Sequence, residues 1–137
     1  MDCIFCRIAA GEIPATKVYE DEDVLAMADI NPLTEGHILI IPKKHATNIY
    51  DIDPAALGRL HQAARRVAAA MKAALSPDGL VVLQLNGPAA GQVVMHYHLH
   101  LVPRFQGDGV TSFDWTPRPG DPEKIRATAD KIRAALV

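Results

Sequence analysis

Apolar positions along the chain alternate between a helical period and a strand period, and the changes of period mark the elements. Residues 54–75 carry Leu57, Leu60, Ala64, Val67, Met71 and Leu75 at helical spacing, which predicts one long helix with a single apolar stripe. Asp53 stands where an N-cap belongs, and Pro54 suits the first turn. Residues 37–41 form a nearly continuous apolar run that stops at Pro42, the pattern of a strand covered on both faces. Residues 17–20 and 23–29 read as two short strands around an acidic turn. Residues 80–85 and 93–102 read as two more, joined by the loop 86–92. Residues 2–10 suit a short helix or turn ended by Gly11 and Pro14, and 31–36 a loop. Residues 105–120 are rich in Gly and Pro and read as irregular, and Asp121-Pro122 opens a final amphipathic helix running to residue 137. The order β-β-β-α-β-β-α lacks regular βα alternation. The expected class is α+β, a mainly antiparallel sheet of about five strands with one long central helix and a C-terminal helix.

Composition narrows the class without naming a chemistry. A length of 137 residues suits one domain, 1–137. With 49% apolar and 22% charged residues the chain reads as globular rather than disordered. No apolar run approaches the roughly 18 residues that span a bilayer, and no basic-then-apolar leader opens the sequence. The expectation is a cytoplasmic protein without a membrane partner. A net charge of −2 argues against a nucleic-acid polymer as ligand, but leaves room for a small anion held by a few N–H groups and histidines. The two cysteines, Cys3 and Cys6, have a spacing that in a reducing compartment points to a metal site or a redox pair. The redox reading needs a thioredoxin-like βαβ context, which this pattern of elements lacks.

Three of the six histidines fall in His96-Tyr97-His98-Leu99-His100. On a strand, alternate residues share a face, so the three imidazoles form a row with a spacing of roughly 6–7 Å. That separates the outer two too widely to share one metal ion with bonds of about 2 Å. Neutral imidazole is nucleophilic near pH 7 without help. In such a row one ring can attack phosphorus while a neighbour donates a hydrogen bond to a non-bridging oxygen. The loop 86–92 just upstream contains glycines and offers backbone N–H donors for phosphate charge.

The run His96-Tyr97-His98-Leu99-His100-Leu101-Val102 resembles the signature of the histidine triad (HIT) family, in which histidines alternate with apolar residues. Further blocks resemble that family in order: Ile13-Pro14-Ala15, Asp29-Ile30-Asn31-Pro32, Gly36-His37-Ile38-Leu39-Ile40-Ile41-Pro42-Lys43-Lys44-His45, and residues 86–92. The resemblance covers residues 2 to about 104. The segment 105–137, including Trp115 and Pro117, adds no motif. By this resemblance His98 is the nucleophile that becomes transiently nucleotidylated, and His100 binds phosphate and assists the leaving group. Asp29 accepts hydrogen bonds from the ribose hydroxyls. Asn86, Gly91, Gln92 and the backbone of Val93 contact the phosphates or leaving group. Ile4, Phe5, Met27 and Ile30 line the base pocket. Two departures matter: Val93 stands where many relatives carry Ser or Thr, and Met27 where an aromatic residue is common.

The resemblance also implies a structural Zn2+ held by Cys3, Cys6, His45 and His96, as in a zinc-containing bacterial-type branch. Two thiolates and two neutral imidazoles make a closed shell with no water to activate. It implies in addition a homodimer joined across a symmetric sheet interface. His37 and His61 are assigned surface or packing roles, and Lys43-Lys44 a solvated pair near the mouth of the site. The function expected is cleavage of a P–N or P–O bond at the α-phosphate of a nucleotide conjugate through a covalent nucleotidyl-histidine. The conjugate is a nucleoside phosphoramidate or a dinucleoside polyphosphate, with a purine base. The competing classes are a nucleotide-binding regulatory module with vestigial catalysis and a metalloenzyme with catalytic zinc on the histidines.

Overall fold

The computed structural model describes residues 2–110 and 119–135. In chain order the elements are α1 (Ile4–Ala9), β1 (Lys17–Glu20), β2 (Val24–Ala28), β3 (Ile38–Pro42), α2 (Pro54–Leu75), β4 (Gly79–Leu83), β5 (Leu99–Arg104) and α3 (Pro122–Ala135). The five strands form one antiparallel sheet in the order β1-β2-β3-β5-β4, which makes this an α+β fold. The long helix starts and stops on its sequence signals. The Asp53 carboxylate accepts from the N–H of Ala56 at 3.2 Å. Ser76 ends α2 in the left-handed region, its N–H donating to the carbonyl of Lys72 at 3.1 Å, just before Pro77.

Each face of the sheet has its own core. Towards α2 the strands send Val24, Ala26, Ile38, Ile40, Leu99 and Leu101, joined by Tyr97, against Leu60, Ala63, Ala64, Val67 and Met71. Towards α1 they send Leu25, Met27, Leu39 and Ile41 against Phe5 and Ile8. This explains the unbroken apolar run of β3. It is a central strand covered on both sides, and all five of its residues are buried. The histidines of the row emerge on the α1 face, where Phe5 packs against His96 and His98.

Two expectations are revised. The strand predicted over 93–102 is regular only from Leu99. Residues 93–98 leave the ladder to be tied to the end of β3 and the stretch after it: the N–H of Tyr97 donates to the carbonyl of Ala46 at 2.7 Å, and the His96 ring bonds the carbonyl of Pro42 at 2.8 Å. The alternation of faces survives, since Tyr97, Leu99 and Leu101 all enter the α2-side core. The C-terminal helix, which an α+β class would pack on the sheet, is exposed at every described side chain except that of Ala129, which is half-buried. Of the segment predicted irregular, residues 105–110 and 119–120 carry no helix or strand. Trp115 and Pro117 lie outside the described residues, as do the last two residues of the predicted helix. Among the described residues no helix is long and apolar enough to cross a membrane.

Candidate active site and metal centre

A cleft of about 450 Å³ opens on the α1 face of the sheet, within the range of small-molecule sites. Its lining includes the apolar Ile4, Phe5, Met27 and Ile30 and the polar Asp29, His98 and His100. Ile30 is 92% exposed and Val93 87% exposed; both stand at the rim, whereas Phe5 and Met27 are buried beneath it. The structure therefore brings together nearly all of the residues expected to hold a nucleotide.

His98 is 7% exposed, and one of its two ring nitrogens is committed. Nδ1 lies 2.7 Å from the carbonyl oxygen of His96. A carbonyl only accepts, so in the neutral ring the proton sits on Nδ1 and Nε2 carries the lone pair. No described residue bonds that nitrogen, and it is not sealed from solvent. Phe5 packs edge-on against the ring at 5.3 Å between centroids, and the His100 ring stands 4.9 Å away. Burial holds the His98 pKa below the ordinary histidine value, against opposing contributions from the His96 carbonyl and the Asp29 charge. The ring is thus neutral, oriented and nucleophilic at pH 7.

His100 is neutral as well. Burial first, then the neighbouring His98 and His37, depress its pKa to about 4, against a smaller opposing effect of Asp29. Asp29 receives the N–H of Asn31 on Oδ1 at 2.8 Å. Its Oδ2 lies 3.5 Å from Nε2 of His37. His37, assigned a surface or packing role from sequence, is in fact buried beside the site and bonds His100 at 3.0 Å. The ladder held the signal. Ala28 pairs with Ile38, so one step further brings Asp29 opposite His37. Leu39 pairs with His100, so His37 is a diagonal neighbour of His100 on the same face.

The loop expected to cradle phosphate is folded inward. Gln92 is buried, its Oε1 accepts from the N–H of Gly87 at 2.7 Å, and its Nε2 donates to the carbonyls of Thr47 at 2.7 Å and Val94 at 3.0 Å. The N–H groups of Gly91 and Gln92 donate to Pro88 and Gly87 within the turn. Gly87 and Gly91 both adopt positive φ there, which a side chain would resist. Asn86 accepts the N–H of Ile49 and exchanges two bonds with Gln84. Neither Asn86 nor Gln92 lines the cleft, while Gly91 and Val93 do. Among the described residues, the N–H groups of Val93 and Val94 have no partner, so the donors free to meet an anion are that of Val93, as expected, and that of Val94, rather than those of Gly91 and Gln92. Lys43 and Lys44 do not line the cleft either; Lys43 pairs with Glu20 at 2.8 Å.

The four expected metal ligands converge at the other end of the histidine row. Cys3 and Cys6 span the first turn of α1, with Cys3 as its N-cap, which turns both sulfurs to one side. Nδ1 of His96 lies 3.3 Å from Cys3 Sγ, 3.5 Å from Cys6 Sγ and 3.2 Å from His45 Nδ1, and His45 Nδ1 lies 3.4 Å from Cys6 Sγ. Nε2 of His96 faces the Pro42 carbonyl, so Nδ1 holds the lone pair and points into the cluster. Tetrahedral zinc with S and N bonds of about 2.3 and 2.0–2.1 Å needs its ligand atoms roughly 3.3–3.8 Å apart. The donor set and its spacing fit such an ion. His61 is exposed on α2 and belongs to no such cluster among the described residues.

The HIT domain profile matches residues 10–107, and the chain belongs to the HIT family. A Bacillus subtilis protein named protein hit is 42% identical over 98% of this chain and 94% of its own length. A Schizosaccharomyces pombe adenosine 5′-monophosphoramidase is 34% identical over 99% of each chain. An Arabidopsis thaliana adenylylsulfatase is 40% identical over 78% of this chain and 54% of its own. Among solved structures, a Bacillus anthracis HIT family protein superposes with a TM-score of 0.91 at 38% identity, covering 99% and 98% of the two chains. A Zn-bound histidine triad protein from Mycobacterium smegmatis gives 0.77 at 38% identity, covering 99% of each.

Proposed function

We propose that this chain is a nucleotide hydrolase or transferase that cleaves the P–N or P–O bond at the α-phosphate of a nucleotide conjugate through a nucleotidyl-His98 intermediate. The observation that carries the reading is the commitment of His98 Nδ1 to a backbone carbonyl, which leaves Nε2 as a free lone pair in a cleft of nucleotide size. The phosphoramidase and adenylylsulfatase among the relatives, both named for cleavage at adenylyl groups, support it.

In the first step Nε2 of His98 bonds to phosphorus as the bond to the leaving group breaks, and the departing atom keeps the electron pair. The Nδ1–H bond to the His96 carbonyl stabilises the positive charge that develops on the ring. In the second step water attacks phosphorus, the P–Nε2 bond breaks, and its electron pair returns to the ring. The net change is addition of water across the original bond. Nε2–H of His100 and the N–H groups of Val93 and Val94 face the phosphate oxygens. Asp29 takes the ribose diol on its free lone pairs, and the base, a purine in this reading, lies over Met27 and Ile4.

Cys3, Cys6, His45 and His96 hold a structural Zn2+ in this reading. When bound, the ion supplies cross-linking rather than chemistry, because its shell is closed. His96, held in that shell, would keep its backbone carbonyl in place to orient His98. The protein works as a homodimer: β4 is a sheet edge that leaves Leu80 and Val82 exposed, the kind of edge that pairs or aggregates when left bare. Sedimentation at the mass of one chain would refute the dimer.

The test of function is incubation with adenosine 5′-phosphoramidate and with diadenosine polyphosphates. AMP release that disappears in His98→Ala is the expected result. Nucleotide binding without turnover would instead make the chain a regulatory module.

A further inference from the structure

Besides the cysteine cluster, one other set of ligand-type side chains converges among the described residues: Asp29, His37 and His100. The donors around it fix where every proton lies. Nδ1 of His37 is 3.0 Å from the N–H of Leu33, and a backbone N–H only donates, so Nδ1 is a lone pair. The proton of the neutral His37 ring is then on Nε2, which lies 3.0 Å from Nδ1 of His100, with Asp29 Oδ2 as a second acceptor at 3.5 Å. His100 must accept at Nδ1, which leaves its own proton on Nε2, the nitrogen with no described protein partner.

The same chain forbids the alternatives. An imidazolium at His37 would set Nδ1–H against the Leu33 N–H. An imidazolium at His100 would set Nδ1–H against the Nε2–H of His37. A metal ion on His37 Nε2 needs the ring proton on Nδ1, where the Leu33 N–H already points, so this trio is not a second metal site.

We propose that the Leu33–His37 contact holds His100 in its neutral Nε2–H form, so that His100 donates a hydrogen bond to the substrate phosphate and does not surrender a proton to the leaving group. This rests on the nucleotidyl-transfer reading. His37 is accordingly a positioning residue that acts through His100. Burial keeps both rings low in pKa, in agreement with a fixed neutral pair. It follows that the leaving group takes its proton from its own substrate or from solvent. Groups that depart as stable anions or as already protonated amines suit such a site, and simple alkoxides do not.

The experiment is a long-range 1H–15N correlation of the histidine rings in 15N-labelled protein at pH 7, with His100 assigned by the signal lost in His100→Asn. The expected result is a single neutral form, Nδ1 bare and Nε2 protonated. An Nδ1–H form, or both nitrogens protonated, overturns the proposal. In His37→Ala the ring is expected to populate both tautomers, with kcat on adenosine 5′-phosphoramidate lowered about 10-fold or more, as for partial loss of a preorganised donor. In His37→Gln the amide N–H replaces Nε2–H, and both the single tautomer and kcat within about 3-fold of wild type should return. An unchanged His100 tautomer in His37→Ala overturns the proposal, and if that variant does not fold the wild-type spectrum still decides. Failure of His98-dependent turnover would sink the catalytic reading alone, with the tautomer still judged by the spectrum.

Discussion

Replacing Gln92 by Ala separates two roles that the sequence alone does not distinguish. If the side chain serves phosphate, its loss should lower kcat/KM and leave the fold intact. The structure gives it other work: three hydrogen bonds clamp Gly87, Thr47 and Val94 together. Each such bond is worth about 1 kcal/mol net, and a buried partner left unpaired costs more. Water entering the truncated site recovers part of this, so the expected loss is about 2–3 kcal/mol. For a domain of this size that corresponds to a fall in Tm of roughly 6–12 °C. Thermal unfolding followed by circular dichroism measures it, alongside kcat/KM at a temperature where the variant is folded. A Tm within about 2 °C of wild type, with turnover severely reduced, would refute the clamp and restore the phosphate contact.

Two further outcomes follow from the same geometry. Cys6→Ser should abolish stoichiometric zinc in the purified protein and lower Tm, with activity lost in step with unfolding, because a closed shell contributes folding energy and no activated water; activity lost at once on chelation of a still-folded protein would point to catalytic metal instead. His100 has a folded pKa of about 4, below the ordinary 6.5, so between these values the unfolded chain binds the extra proton. Stability associated with this ring is complete above pH 6.5 and falls as pH drops towards 4; the loss of Tm from pH 7 to 5 should be smaller in His100→Asn than in wild type, and equal losses would contradict the assignment.

The legible parts of this protein are those where one local signal decides. The cap at Asp53, the stripe to Leu75 and the two-sided apolar run of β3 each name their element from a few residues. The alternation of His96, His98 and His100 with Tyr97 and Leu99 names the face on which the three imidazoles stand. What sequence does not carry is the destination of a polar side chain. Gln92 looks the same whether it faces a phosphate or the carbonyls of Thr47 and Val94, and only the approach of the 42–47 stretch selects the second. His37 looks like the first residue of a strand until the pairing of β2, β3 and β5 brings it beside Asp29 and His100. The start of β5 was misplaced for the same reason, since the bonds that draw residues 93–98 off the ladder come from residues 42–47, some fifty positions away in the chain.

The most direct test of the account is rapid-quench mass spectrometry of the protein mixed with adenosine 5′-phosphoramidate. The account predicts a transient adduct of one adenylyl group on the peptide containing His98, linked through the ring and absent from His98→Ala. Steady turnover with no such adduct at any time point, and turnover retained in His98→Ala, would contradict it.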